Sequence, residues 1–255
     1  MVTLKQFNED QVIYRTEGKV IYRDGDTILK VFDESFTKSD ILNEALNQAR
    51  VEETGLKVPR ILEVLKIEDH WAIRSDFIPG KTLETLMKES PEKEDAYLER
   101  FVDIQIEIFS HEAALLNVLK EKMRRRIDQS SFDATTRYEL QTRLAALPTH
   151  KKICHGDFNP SNIIITPEDE AYVIDWSHVT QGNASADAAL TYMLFHLAGR
   201  PDLAQKYLKL FCLKTDTARQ YVQRWMPIVA ASQSTKNKPE EREFLHRWVD
   251  VADYQ

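Results

Sequence analysis

Glycine and cysteine are scarce in this sequence, positive charge is outweighed, and no apolar run is long. Seven glycines in 255 residues fall well below the ~7 per cent of average proteins, which argues against flexible linkers. Cys154 and Cys212 have no second Cys or His at ligand spacing, so neither a zinc site nor a disulfide framework is indicated. A formal charge of −7 disfavours a nucleic-acid partner, whose phosphates need a basic footprint. Apolar stretches stay short of the ~18 residues that span a bilayer. Lys5, Asn8, Glu9 and Asp10 break up the N-terminal segment, so no membrane partner and a cytoplasmic location are expected. Repeats and low-complexity tracts are also missing. What remains, 42% hydrophobic and 29% charged, is enough for a sizeable core.

Short strand candidates come first. Residues 11–14, 20–23 and 27–32 read as strands, and Asp24-Gly25 between the last two is a tight-hairpin signal. Lys30 lies among Ile28, Leu29, Val31 and Phe32 on an inner strand, where an ammonium is costly without a partner. A helix offers one. After Ser39, a candidate N-cap, Ile41, Leu42, Ala45, Leu46 and Ala49 recur at helical spacing until Gly55, and Glu44 sits beside that stripe. A second hairpin, over residues 61–67 and 71–75, turns at Glu68-Asp69. The Pro-Gly pair in Asp76-Phe77-Ile78-Pro79-Gly80 then sets the expected boundary: an N-terminal lobe at 1–76, a hinge at 77–80 and a C-terminal lobe at 81–255. Beyond it the chain reads as mostly helical, giving an α+β class. Ser90-Pro91 opens a helix with Tyr97, Phe101, Ile104, Ile108 and Leu115 on one stripe. Tyr138, Leu140, Leu144 and Leu147 mark another, and residues 203–211, 218–226 and 240–251 are further candidates.

The chemistry is concentrated in His155-Gly156-Asp157-Phe158-Asn159-Pro160-Ser161-Asn162. An apolar strand, Ile163-Ile164-Ile165, follows it, and Tyr172-Val173-Ile174 delivers Asp175 at the end of the next strand. A carboxylate, a carboxamide five positions on and a later strand-borne Asp form the base-and-metal pattern of a kinase catalytic loop. Together with Val173-Ile174-Asp175-Trp176 and the following segment to Leu194, this loop resembles the aminoglycoside phosphotransferase and choline kinase family, which has a protein-kinase-like fold and phosphorylates small molecules. The resemblance implies a bilobal protein-kinase-like fold, ATP or GTP as donor, Mg2+, and a small hydroxylated acceptor. It implies Asp157 as catalytic base, Asn162 and Asp175 on Mg2+, and Lys30, paired with Glu44, on the phosphates. The carbonyl of Asp76 and the amide of Ile78 would meet the adenine edge, while His155 shapes the turn and Asp187 holds the loop's backbone. Two departures stand out. Residues 15–19, where a phosphate loop would fold, hold only Gly18, and Trp176 replaces the usual Phe with no Gly after it. A protein kinase and a nucleotide-binding pseudokinase are the alternatives. The first lacks an Ala-Pro-Glu motif, and the second lacks a missing catalytic part to motivate it.

The negative charge is uneven. From Glu84 to Glu112 there are nine acidic residues against three basic ones, and Asp95, Glu99, Asp103 and Glu107 recur every fourth position. Like charges at that spacing repel on a helix. Solvent and pairing with Lys122, Arg124, Arg125 and Arg126 would offset this; if part of the stripe instead faces the acceptor, the acceptor is cationic.

Overall fold

A computed structural model describes residues 9–250, so Lys5, Asn8 and Val251 of the readings above lie outside the described residues. The chain forms two compact units: residues up to Glu89 together with Ser161–His178, and Ser90–Pro160 with the remainder.

A five-stranded sheet opens the first unit: β1 (Val12–Thr16), β2 (Lys19–Asp24), β3 (Thr27–Phe32), then, after helix α1 (Lys38–Glu52), β4 (Ile61–Ile67) and β5 (His70–Asp76). They pair antiparallel in the order β1-β2-β3-β5-β4. The β2–β3 hairpin turns on Gly25-Asp26, one residue later than expected, because Asp24 still pairs with Thr27 and Gly25 takes the left-handed backbone, φ +63°. Alternation on β3 sorts its side chains. Leu29 and Val31 pack with Ile67 and Ala72 on one face. Phe32 and Ile73 pack with Ile41 and Ala45 of α1 on the other, and Lys30, two residues from Phe32, shares that covered face. The α1 N-cap is Thr37 rather than Ser39. Thr37 Oγ1 accepts from Asp40 N, and Asp40 accepts in return from Thr37 N at 3.0 Å, a reciprocal capping box that leaves Ser39 inside the first turn. Leu42 and Leu46, counted with the apolar stripe, are exposed.

After β6 (Lys81–Thr82) and α2 (Leu83–Glu89) the chain enters the second unit with α3 (Glu94–Phe109), α4 (Leu119–Gln129), α5 (Ala134–Ala146) and β7 (Lys152–Cys154). The α3 helix stops six residues short of Leu115, which is 70% exposed. Ser110 Oγ donates to Glu107 O, and His111 O accepts from Ile153 N, so the backbone there leaves the helix for a strand-like pairing. Residues 161–178 return to the first unit as β8 (Ile163–Ile165) and β9 (Ala171–Val173), in a small sheet of order β6-β8-β9. The second unit then resumes with β10 (Thr180–Gly182), which pairs with β7, and helices α6 (Ala184–Leu197), α7 (Pro201–Thr215), α8 (Arg219–Gln223), α9 (Met226–Ser234) and α10 (Pro239–Asp250). Phe101 of α3, Phe158, Phe195 of α6 and Tyr207 of α7 stack edge-on and tilted around its buried centre. Among the described residues no helix is long and apolar enough to cross a membrane.

Candidate active site

In the first unit three of the expected residues come together. Lys30 forms an ion pair with Glu44 of α1, and its Nζ lies 3.3 Å from Asp175 Oδ1. Lys30 and Glu44 are each only 12% exposed. Burial pulls the pKa of this lysine down, but Asp175 and then Glu44 outweigh it and hold the ammonium above its ordinary value. A fourth member escaped the sequence reading. Lys19, at the start of β2, reaches Asp175 Oδ2 at 3.7 Å. Its pKa is lowered by burial and by neighbouring Lys30.

Strand register explains how Asn162 and Asp175 come to neighbour each other. Ile163 pairs with Val173, and Ile174 N donates to Asn162 O at 2.9 Å, so Asn162 at the head of β8 lies opposite the residue before Asp175 at the tail of β9. Asp175 holds a left-handed backbone, φ +62°. The fully buried Trp176 closes that turn through its indole N–H to Val173 O at 2.9 Å, and Asn47 of α1 donates to Ser177 O just beyond. Gly80 explains its own identity. A Cβ there would stand 2.2 Å from the carbonyl oxygen of Ile165 on β8. Among the described residues no group of three His, Cys, Asp or Glu forms a metal cage. The carboxylate of Asp175 and the amide oxygen of Asn162, adjacent by register, instead match the one or two hard oxygen ligands that Mg2+ takes from a protein beside phosphates and waters.

In the second unit the loop carrying Asp157 is held from beneath. Asp187, buried near the start of α6, accepts from His155 N at 3.1 Å and Gly156 N at 2.8 Å. Burial pushes its carboxyl up, opposed by His155 and these two amides. Gly156 has φ +80°, and His155 Nδ1 accepts from Asp157 N at 3.2 Å, so the turn presents Asp157. A buried relay adds a second support: Tyr207 O–H donates to Gln105, Gln105 to Thr191, and Thr191 to Phe158 O. Sequence reasoning missed these three residues, whose only signal is a polar side chain at an interior helical position.

Other expectations change in the structure. Residues 15–19 form a tight hairpin: Thr16 pairs with Lys19 around a two-residue turn, and a Cβ on Gly18, φ +84°, would meet Phe36 and Ser35. The Asp76 carboxylate is gripped by Arg60, with Nε–Oδ2 at 2.7 Å, which draws its pKa down. The acidic stripe of α3 finds partners on α7 and at its N-cap. Glu94 meets Arg200, Asp95 meets Lys206 at 2.6 Å, and Lys214 bridges Glu99 at 3.0 Å and Asp103 at 2.6 Å. These pairs offset the like-charge repulsion that the spacing of Asp95, Glu99 and Asp103 creates.

A family model described as APH, phosphotransferase enzyme family, matches residues 8–224. Solved structures agree in fold. A thermostable mutant of aminoglycoside phosphotransferase APH(4)-Ia, in ternary complex with ADP and hygromycin B, is 14% identical, with a TM-score of 0.69 over 96% of this chain and 94% of that one. Aminoglycoside-3'-phosphotransferase of type VIII is 18% identical, with a TM-score of 0.62 over 84% and 88%. Choline kinase LicA from Streptococcus pneumoniae is 16% identical, with a TM-score of 0.64 over 96% and 92%. The fold is thus the protein-kinase-like α+β architecture that the catalytic-loop motif implied. No curated protein matches the sequence.

Proposed function

The chain belongs to the phosphotransferase enzyme family, and from that premise we propose that it moves the γ-phosphoryl group of ATP or GTP to a hydroxyl of a small molecule. The observation that carries the residue assignment is the Lys30, Glu44 and Asp175 network, closed between positions 145 residues apart in sequence. Phosphoryl transfer needs little covalent help, so positioned charge does most of the work. The acceptor O–H gives its proton to Asp157 as its oxygen bonds to the γ-phosphorus. The bond from that phosphorus to the β,γ-bridging oxygen breaks, and the nucleoside diphosphate leaves with the electron pair. Lys30, kept charged by its two carboxylates, binds the phosphates, and Glu44 fixes its position. Asn162 and Asp175 are the residues that would hold Mg2+, which when bound neutralises charge on the phosphates. The Asp76 carbonyl and Ile78 amide take the base edge, and Asp187 with His155 keeps the loop in shape.

The roles are separable by substitution. Asp157→Asn should lower turnover by about 10²–10⁴-fold, the usual worth of a general base, while leaving Mg2+-dependent nucleotide affinity intact. Asp175→Asn should abolish turnover and also weaken that affinity. Equal loss of nucleotide binding in both variants would mean the roles are misassigned.

A further inference from the structure

Lys19 has no part in the catalytic-loop motif, yet the fold carries it to the same carboxylate as Lys30. It is the first residue of β2, directly after the two-residue turn at Glu17-Gly18 that Thr16 and Lys19 close by pairing. That turn is fastened to the segment before α1. Asp33 N donates to Gly18 O at 2.9 Å, and a Cβ on Gly18 would stand 2.7 Å from the Phe36 ring. Lys19 therefore projects from a fixed backbone.

Register sets its direction. Lys19 pairs with Phe32 and Ile21 with Lys30, and residues opposite one another in an antiparallel pair point to the same face. Lys19 and Lys30 are thus diagonal neighbours on one face, a separation of about 7–8 Å that long side chains close easily. Their ammonium groups converge on one residue. Lys19 Nζ lies 3.7 Å from Asp175 Oδ2, and Lys30 Nζ lies 3.3 Å from Asp175 Oδ1. The Lys19 side chain is only 21% exposed. Two ammonium groups held this close and away from water repel each other, and that cost is offset where anions gather. A donor's phosphates are such anions, and Lys30 and Asp175 mark the place proposed for them.

We infer that Lys19 is a second phosphate ligand, its ammonium meeting the donor's phosphate oxygens beside Lys30. It supplies from a side chain the positive field that a glycine-rich loop provides at this point of a protein kinase. This rests on the phosphotransferase reading and adds a residue to its donor site.

Calorimetric titration of the full-length protein compares MgATP with adenosine and MgGTP with guanosine. Lys19→Gln should weaken binding of the triphosphate by about tenfold or more, as loss of a hydrogen bond to a charged group does, and leave binding of the nucleoside unchanged. Lys19→Arg should recover part of the loss. If Lys19→Gln fails to fold, Lys19→Met, which keeps the aliphatic stem, carries the same test. A lysine acting only through Asp175 would instead change the metal requirement. At saturating ATP, the Mg2+ concentration that gives the half-maximal melting shift should therefore stay the same in Lys19→Gln. Unchanged triphosphate affinity, an equal loss of nucleoside binding, or a raised Mg2+ requirement overturns the inference. Failure of the parent protein to bind either triphosphate removes the phosphotransferase reading itself, whereas parental binding with an indifferent Lys19 removes only this residue's role.

Discussion

At the scale of single residues, two half-buried lysines face opposite situations. Lys30 is held charged by Asp175 and Glu44. Glu44→Gln removes one of these hydrogen-bonded carboxylates and should cost about 1.5–3 kcal/mol of stability, the range for hydrogen bonds to charged groups, together with a higher KM for ATP. Denaturant unfolding beside steady-state kinetics would show both effects, and unchanged values in both would reduce Glu44 to a solvated helix residue. Lys122 is depressed to about 7 from 10.5, so between those values the unfolded chain binds more protons than the folded one. Stability without ligand should therefore rise with pH from about 7 to 10. Lys19 and Lys236, also lowered, add in the same direction. Lys122→Gln should flatten part of that rise, and an unchanged slope would mean that the ammonium is solvated. Lys30, Glu44 and Asp175 were legible in sequence because a charged residue inside a β-branched run, or at a strand's end, is costly unless partnered. Lys19 was not, because a lysine beside a turn glycine looks like any exposed hairpin residue.

At the scale of elements, like charges on one helix are matched by another helix. The α3 carboxylates and the α7 cations form a ladder whose rungs are half exposed, so each is weak and screened by salt. Asp103→Asn should lower stability slightly at low ionic strength, the difference should shrink at high salt, and the acceptor KM should stay unchanged. A raised KM would put the stripe at the acceptor after all. Gly80 has the opposite character, one position with no room. Gly80→Ala sets a methyl group against the Ile165 carbonyl and should destabilise by about 1–3 kcal/mol, the usual cost of forced overpacking, read as a lower urea midpoint. A midpoint within error of the parent would show that β6 can move away from β8. The hairpins of the first unit were readable because their turn residues and two-residue period are local. The end of α3 was not. The apolar spacing runs on to Leu115, and the helix ends where Ser110 bonds back to Glu107 O and Ile153, 42 residues after His111, bonds to the His111 carbonyl.

At the scale of the whole molecule, residues 161–178 leave the second unit's run of sequence and complete the first, where β8 pairs with β6 across more than eighty positions. Periodicity does not carry such long-range pairings, whereas the catalytic-loop motif, being local, pointed directly to both the fold and the loop. The same motif left the acceptor unspecified, because a shared fold and catalytic loop do not fix which small molecule is bound. The central claim is that this chain binds a magnesium nucleotide through Lys30 and Asp175 and transfers its terminal phosphoryl group. Thermal melting with MgATP and MgGTP tests it most directly. At 100 times Kd the bound nucleotide should stabilise the protein by about 2.7 kcal/mol, with the gain sharply reduced in Asp175→Asn. No melting shift with either nucleotide at millimolar concentration, or a shift that survives unchanged in Asp175→Asn, would contradict the account.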